Sequence, residues 1–295
     1  MFMENIRLST AESPETKNQP GLGEMPCSDS VAAVSLADLA SLVGLPISAD
    51  PRFAAVMFPT RRVKVGEFLY RAGDVFDALY VVRSGCFKTL CVDATGAEQL
   101  LAFPMAGDVL GLDGLDQERH SCDAVALEGG CVAVVTFARF ARLAHEHPCV
   151  ERLIYRLFSR ELVHERNMIW LLGMLSAESR VAAFLLDLSD RLGRLGYSRT
   201  SFILRATRAE IGSYLGLKLE TVSRTLSAFA AAGLISVERK NVSLSAIARL
   251  RSVVDPNRRE NQEPVAIRTS LATEPVPPAE VPHATHHCAL TAAAL

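Results

Sequence analysis

Short apolar runs separated by glycine and aspartate fill the chain between about residues 61 and 137. The runs have the length of β-strands, and turn-forming residues follow one another at short intervals, which predicts an antiparallel β-barrel or β-roll. We expect this β domain to occupy residues 51–145. Glycines are spaced as the corners of such a roll require, at Gly66, Gly73, Gly85, Gly96 and Gly107.

A helical period replaces the strand pattern near Phe140 and continues through residues 146–176. The stretch from Cys149 to Leu175 contains no proline and predicts a helix of about 40 Å. Apolar residues form two stripes along it, so one stripe is expected to cover the β domain and the other to meet a second copy of the chain. The alternative is a single core helix with no dimer. The stripe expected to be covered holds Ile154, Leu157, Met168, Leu171 and Leu175.

The predicted dimer stripe contains one charged residue among apolar ones. Two copies of Glu165 that face each other across a two-fold axis would repel, which would weaken the dimer. The expected interface residues are Tyr155, Phe158, Leu162, Glu165 and Ile169.

The segment from Ala206 to Ile235 predicts a helix-turn-helix. Thr207 can cap its first helix, Gly212 lies where the second helix must approach closely, and Gly216 lies in the turn, which needs a positive φ. An amphipathic helix from residue 177 precedes this unit, and two strand-like runs around a charged turn follow it as a wing. We expect this winged helix-turn-helix domain to occupy residues 177–252.

Three polar residues share one face of the second helix, because they stand at positions i, i+3 and i+4. Arg224 suits the O6 and N7 atoms of guanine, Glu220 can accept from a cytosine amino group, and Ser223 is permissive. The alternative is that these are ordinary solvated side chains. Phosphate contacts are expected from Arg208, Lys218, Thr221, Arg239 and Lys240.

Composition supports these assignments only locally. The 295 residues suffice for about two domains. The net charge of −2 gives no overall attraction to nucleic acid, but residues 205–251 hold eight Lys or Arg and three Glu. No apolar run is long enough to span a membrane and the N-terminus lacks a signal-peptide core, so a cytoplasmic protein is expected.

The two ends of the chain are predicted to be disordered. Residues 1–50 are expected to form an N-terminal tail with a lead-in to the β domain, and residues 253–295 are expected to form a C-terminal tail.

These residues are similar to those of the cyclic-AMP receptor protein/FNR family of bacterial transcription factors. The resemblance covers about residues 55–250, including the segments GEFLYRAGD and LYVVRSG, and the E-x-x-S-R set around Arg224 matches the FNR branch. It implies an α+β fold with a cyclic-nucleotide-binding-like roll, a long dimerisation helix and a winged helix-turn-helix. It also implies a homodimer on double-stranded DNA at a TTGAT–N4–ATCAA-like palindrome, contact with RNA polymerase, and control linked to oxygen, redox state or nitric oxide.

The residues that would hold an effector depart from the family. An arginine is needed to pair with a cyclic phosphate, but Arg119 stands in the wrong context, so cyclic AMP binding is not expected. A [4Fe–4S] cluster needs four thiolates, and only Cys27 and Cys131 lie at or near the family's ligand positions, so no metal or other cofactor is expected. Three alternatives stay open. The protein could act without a cofactor and be controlled by its own concentration or by a single thiol, or it could bind an iron–sulfur cluster, or it could bind a haem. The cluster would use Cys27, Cys86, Cys91 and Cys131, and the haem would use His120, His145, His147 or His164.

Two other classes of protein fit the sequence less well than a regulator does. A small-molecule-binding module with an output other than DNA binding has little support, since the cyclic-phosphate residues are missing. A metal enzyme on a β-roll needs clustered histidines and carboxylates, and no H-x-H or H-x-D pair occurs between residues 61 and 137. We therefore expect no enzymatic activity.

Overall fold

Two antiparallel sheets form the N-terminal domain of the protein in a computed structural model, which describes residues 33–45, 47, 51–93 and 95–255. This arrangement confirms the predicted β-roll. The first sheet pairs its strands in the order β1 (Ala33–Ser35), β2 (Met57–Val63), β9 (Gly130–Thr136), β4 (Ala78–Ser84) and β7 (Val109–Leu110). The second sheet has the order β3 (Phe68–Tyr70), β8 (Asp123–Ala126), β5 (Phe87–Val92) and β6 (Glu98–Ala102).

The inner faces of the two sheets share one apolar cluster. Val82 and Val132 from the first sheet lie in it with Phe87 and Ala124 from the second, and all four are fully buried. Burying an apolar side chain of this size stabilises a fold by about 1.5–3 kcal/mol. The predicted corner glycines, Gly66 to Gly107, all adopt positive φ.

The N-terminal boundary predicted at residue 51 is wrong. Strand β1 pairs with β2, and helix α1 (Leu36–Leu42) follows it with Ser35 as its cap, whose Oγ accepts from the Asp38 amide at 3.1 Å. Leu36 and Leu39 of α1 are buried beside Phe53 of helix α2 (Pro51–Ala55). A three-residue strand is too short to show a period, which is why it escaped sequence analysis. Most of the two predicted tails, residues 1–32 and 256–295, lies outside the described residues.

Helix α3 (Phe137–Glu146) leads into helix α4 (Pro148–Met174), which has 27 residues and begins with proline at its first position, a favoured place for that residue. The helix matches the predicted length and joins the two domains. Its N-terminal end buries Val150 and Leu153 against the roll, and its C-terminal end packs against the second domain. Within the part of the chain that is described, no helix combines the length and hydrophobicity needed to cross a bilayer.

The C-terminal domain packs its helices around a three-stranded sheet. Leu185, Leu215, Val222 and Val242 are fully buried at its centre. The last helix ends two residues beyond the predicted boundary, within the usual uncertainty of helix ends. The elements in chain order are α5 (Ala177–Arg194), β10 (Ser201–Ile203), α6 (Arg208–Leu215), α7 (Leu219–Ala231), β11 (Ile235–Glu238), β12 (Asn241–Leu244) and α8 (Ile247–Val254).

The β5–β6 hairpin of the roll contacts α6 of the second domain. Lys88 Nζ on β5 donates to Glu210 Oε1 at 2.8 Å, and the Leu100 amide on β6 donates to Ser213 Oγ at 2.9 Å. Leu100 also lies in the apolar cluster of the C-terminal domain. Two further ion pairs join the domains, Arg191 with Asp108 and Arg205 with Glu128. The first helix of the helix-turn-helix is therefore held directly against the roll.

Candidate nucleic-acid interface

Helix α6 begins with a capping box. Thr207 Oγ1 accepts from the Glu210 amide at 3.2 Å, and Glu210 Oε2 accepts from the Thr207 amide at 2.8 Å, which confirms the predicted cap. The other carboxylate oxygen of Glu210 holds the Lys88 ammonium group. Burial alone would raise the pKa of Glu210, but the hydrogen bonds from Lys88 and Thr207 outweigh it and bring the pKa below its usual value.

The turn between α6 and α7 depends on two glycines, as the sequence predicts. Gly216 ends α6 with φ of 62°, a conformation that costs other residues free energy. A Cβ atom on Gly212 would stand 2.6 Å from the carbonyl oxygen of Leu217. Since no side chain tolerates that distance from a backbone atom, the close approach of the two helices requires glycine.

One arginine that sequence analysis missed ties the long helix α4 to this turn. Arg180 of α5 donates from Nε to the Leu175 carbonyl at 3.0 Å and from Nη1 to the Leu215 carbonyl at 3.1 Å. Its Nη2 donates to the Leu172 carbonyl. A single guanidinium thus satisfies carbonyls at the ends of α4 and α6, where a positive charge is favoured. No local pattern marks Arg180, because its partners belong to different helices.

Helix α7 turns one face to the core and the opposite face to solvent. Val222, Leu226 and Phe229 are buried, whereas Glu220 and Arg224 are exposed and Ser223 is half-buried. Within the described part of the chain, the side chains of Glu220, Ser223 and Arg224 make no hydrogen bond or ion pair. They are therefore available to base edges, and their assignment to base contacts stays a prediction.

The predicted phosphate contacts surround this face. Arg208 and Lys218 are exposed at the starts of α6 and α7, where free amides and the helix dipole also favour an anion, and Thr221 is half-buried in the first turn of α7. Arg239 and Lys240 are exposed and form the two-residue turn between the paired wing strands β11 and β12. Their spread matches a surface that binds a backbone on both sides of a groove.

The predicted dimer stripe of α4 is uncovered in the single chain. Tyr155, Leu162 and Ile169 are 60%, 53% and 71% exposed, and Glu165 is also exposed. Phe158 is half-buried. Exposed apolar residues this numerous on one helix mark an interaction surface. Trp170 and Met174, which sequence analysis did not include, extend the uncovered surface at the C-terminal end of the helix. The other predicted stripe is covered, its first half by the roll and its second half by the C-terminal domain, through Ile154, Leu157, Met168 and Leu171.

The inside of the roll holds polar groups that suit neither a cyclic nucleotide nor a haem. The rings of Tyr70 and His120 stack at 3.7 Å, and His120 Nδ1 lies 3.5 Å from a carboxylate oxygen of Asp113. That carboxylate would repel a phosphate. Arg119, the arginine considered above as a partner for a cyclic phosphate, is exposed and donates to the Gly73 carbonyl at 2.7 Å. The roll also has a cavity of about 30 Å³ lined by apolar side chains, too small for a porphyrin and without a histidine in its wall.

The other candidate haem ligands lie away from any such space. His145 is exposed, His147 meets the ring of Phe53 edge-on at 5.2 Å, and His164 is half-buried on α4. The stacked His120 is buried, with 3% exposure. None of the four lines the apolar cavity of the roll.

The cysteines in the described part of the chain do not come together as ligands of a cluster. Cys86 and Cys131 are buried and Cys91 is half-buried, while Cys27 lies outside the described residues. Burial raises the pKa of Cys86 to about 12, which opposes the thiolate that iron would need. Among the residues described, no three His, Cys, Asp or Glu side chains come together in a way that could hold a metal ion.

A roll, a long helix with an uncovered apolar stripe and a winged helix-turn-helix together define a transcription regulator that binds DNA. Residues 60–147 match the cyclic nucleotide-binding domain, and residues 179–253 match the Crp-like helix-turn-helix domain. The chain is 39% identical over 212 residues to the transcriptional regulatory protein btr of Bordetella pertussis, covering 72% of this chain and 88% of that protein. It is 37% identical over 230 residues to the transcriptional activator protein anr of Pseudomonas aeruginosa, covering 78% and 93%.

A solved structure shows the same architecture. FixK2 from Bradyrhizobium japonicum superposes with a TM-score of 0.62 at 29% identity, covering 66% of this chain and 96% of that one. The chain belongs to the Crp/Fnr family of transcription regulators. This confirms the predicted fold and the predicted class of function, and the members of the family are regulators, not enzymes.

Proposed function

We propose that this protein is a homodimeric regulator of the FNR-like branch that binds a TTGAT–N4–ATCAA-like palindrome. The observation that carries the proposal is the exposed face of α7, where Glu220, Ser223 and Arg224 have no partner among the described residues. Arg224 can bind guanine with two hydrogen bonds and Glu220 can accept from cytosine on the same base-pair stack. The capping box, Gly212 and Gly216 hold α7 in a fixed orientation, so these side chains enter the groove together.

The dimer follows from the uncovered stripe of α4. Two copies of Leu162 and Ile169 packed across a two-fold axis would remove exposed apolar area of the helix from water. A two-fold protein places its two recognition helices in successive major grooves, which is why the site is a palindrome. RNA polymerase is the partner through which such a dimer would activate transcription, and the cytoplasm is where both would be found.

We further propose that no metal or haem is part of the resting protein and that cyclic AMP is not its effector. The unsuited histidines, the buried Cys86 and the carboxylate of Asp113 support this reading. Control linked to oxygen, redox state or nitric oxide, as in the FNR-like branch, would then act through the protein's own side chains. Absorption spectra of protein purified without oxygen test this, since a Soret band or a broad thiolate-to-iron band contradicts it.

Fluorescence anisotropy with labelled duplexes tests the DNA-binding proposal. Wild type is expected to prefer the palindrome to a scrambled duplex at physiological salt. Arg224→Ala should weaken palindrome binding by about 1–3 kcal/mol, roughly 5- to 150-fold, and should remove discrimination at one base pair.

The matched control is Arg249→Ala, an exposed arginine on α8, which packs against α5. It loses the same charge and should change affinity less than about twofold, because α8 lies outside the proposed surface of α7 and the wing. Equal losses in the two variants, or an Arg224→Ala protein that still discriminates the same base pair, would show that α7 does not read the site as proposed.

A further inference from the structure

Cys91 lies near the end of β5, and Cys122 directly precedes β8, the strand that pairs with β5. The antiparallel register of β5 and β8 pairs Thr89 with Ala124 and Leu90 with Asp123, so Cys91 and Cys122 are the next two positions along it. Residues directly opposite in an antiparallel pair have Cα atoms about 4.5–5.5 Å apart. Disulfides span Cα distances of about 4.4–6.8 Å, so the backbone separation suits a bond between the two sulfur atoms.

Both thiols point to the same side of the sheet. Phe87, Thr89 and Cys91 alternate with outward positions along β5, and both cysteines belong to the apolar cluster between the two sheets. Cys91 Sγ lies 3.6 Å from the carbonyl oxygen of Ser121, the residue before Cys122. Register, facing and this contact together place the two sulfur atoms as neighbours.

The two thiols differ in access. Cys122 is 5% exposed, whereas Cys91 is half-buried at the end of β5 and within reach of a small molecule in solution. Asp113 Oδ2 lies 3.5 Å from Cys122 Sγ and accepts from the Ser121 amide at 2.8 Å. Burial and then the charge of Asp113 raise the pKa of both cysteines, which keeps them protonated and slow to react at neutral pH.

We propose that Cys91 and Cys122 are a dithiol site that a low-molecular-weight disulfide oxidises to a reversible cross-strand disulfide. The Cys91 thiolate attacks the small disulfide, forms a mixed disulfide and releases one small thiol. The Cys122 thiolate then attacks the Cys91 sulfur and releases the second. The protons of the two protein thiols end on the two small thiols that leave, and the two electrons lost by the protein reduce the small disulfide.

This modification has a direct route to the helix-turn-helix, and here the inference rests on the proposed function. Lys88, three residues before Cys91 on β5, holds Glu210, and β6 of the same hairpin holds Ser213. Formation of the disulfide draws the two sulfur atoms to about 2.05 Å, and we infer that this closure shifts the β5–β6 hairpin and with it the groups that orient α6. We expect oxidation to weaken binding to the palindrome at least threefold.

The experiment treats the reduced full-length protein with glutathione disulfide and follows it by peptide mapping and DNA binding. Wild type should yield a linked Cys91–Cys122 peptide and lose affinity at least threefold, and dithiothreitol should reverse both changes. Cys91→Ser should form no such link and keep its affinity. Cys149→Ser, which alters a half-buried cysteine on α4, should behave as wild type.

The variant Asp113→Asn tests whether the surroundings of the two cysteines control how fast they are oxidised. Removing the carboxylate lowers the pKa of both thiols, so the linked peptide should form faster than in wild type at the same pH. A slower or equal rate overturns the role given to Asp113.

Two further outcomes would contradict the proposal itself. Absence of the Cys91–Cys122 peptide in wild type overturns the site, and a disulfide that leaves affinity within threefold overturns its coupling to DNA binding. Reduced protein that does not prefer the palindrome contradicts the proposed function instead, and the peptide map remains independent of that result.

Discussion

The recognition helix and the roll encode their chemistry in different ways. Glu220, Ser223 and Arg224 lie within five residues of one helix, so their common face follows from helical spacing alone. Inside the roll, Asp113, Cys91 and Cys122 come from different segments of the chain, and only the fold of the roll brings them near one another. Site residues that share one helix can be predicted from the sequence, whereas site residues that come from separate segments can be recognised only in the folded structure. Substitutions on α4, α6 and the roll can show whether the recognition surface depends only on α7.

The largest expected effect breaks the dimer while leaving the recognition helix intact. Leu162→Arg places two charges in the stripe of each α4 pair and removes apolar burial worth about 1.5–3 kcal/mol per side chain. We expect the variant to be monomeric by analytical ultracentrifugation and to lose palindrome affinity at least about 100-fold, or roughly 2.7 kcal/mol. Arg156→Ala, on a neighbouring exposed face of α4, should stay dimeric. Monomers that bind the palindrome as well as wild type would mean that one helix suffices.

The second effect concerns the close packing of α6 against α7, which positions the recognition surface. Gly212→Ala puts a methyl group 2.6 Å from the Leu217 carbonyl oxygen, so α6 and α7 must move apart. Such overpacking typically costs about 1–3 kcal/mol, to be measured by urea unfolding. The control is Gly173→Ala on α4, where nothing stands within 4 Å of the new atom and alanine favours the helix. Equal stability of the two variants would contradict the close approach at the turn.

The sequence predicts those features of the fold that depend on neighbouring residues in the chain. The cap at Thr207, the turn at Gly216 and the corners of the roll follow from local chemistry, and the structure confirms each. Strand β1 escaped because three residues show no period. Arg180 escaped because its acceptors belong to two other helices. Register is likewise fixed by packing between strands that are distant in the chain, so the pairing of Cys91 with Cys122 required the fold.

A smaller effect tests the joint between the two regions. The pKa of Glu210 is lowered in the folded protein, so its contribution to stability is present above the unfolded value of 4.5 and is lost as pH falls through the folded value. Glu210→Gln retains a capping-box side chain but loses the ion pair with Lys88. We expect it to be less stable than wild type by about 0.5–1 kcal/mol at pH 7.

Denaturant unfolding at a series of pH values checks this effect. The difference between the two proteins should shrink as pH falls below about 4.5, since the unfolded wild-type chain binds a proton there before the folded protein does. Glu146→Gln at the end of α3 is the control for a general loss of one negative charge. A constant difference at all pH values would assign the effect to the cap and not to the ion pair with the roll.

The smallest effect concerns the one charge in the dimer stripe. Glu165 is exposed between Leu162 and Ile169, so a two-fold axis at this point brings two carboxylates together. Glu165→Gln keeps the shape and removes the repulsion, which for exposed charges amounts to about 0.2–1 kcal/mol. We expect the dimer to tighten by about two- to fivefold at low ionic strength, measured by ultracentrifugation. The gain should fade as salt screens wild type. A gain that is independent of salt would mean that the two carboxylates do not face each other, and the charge would then serve only to keep a single chain hydrated before it finds its partner.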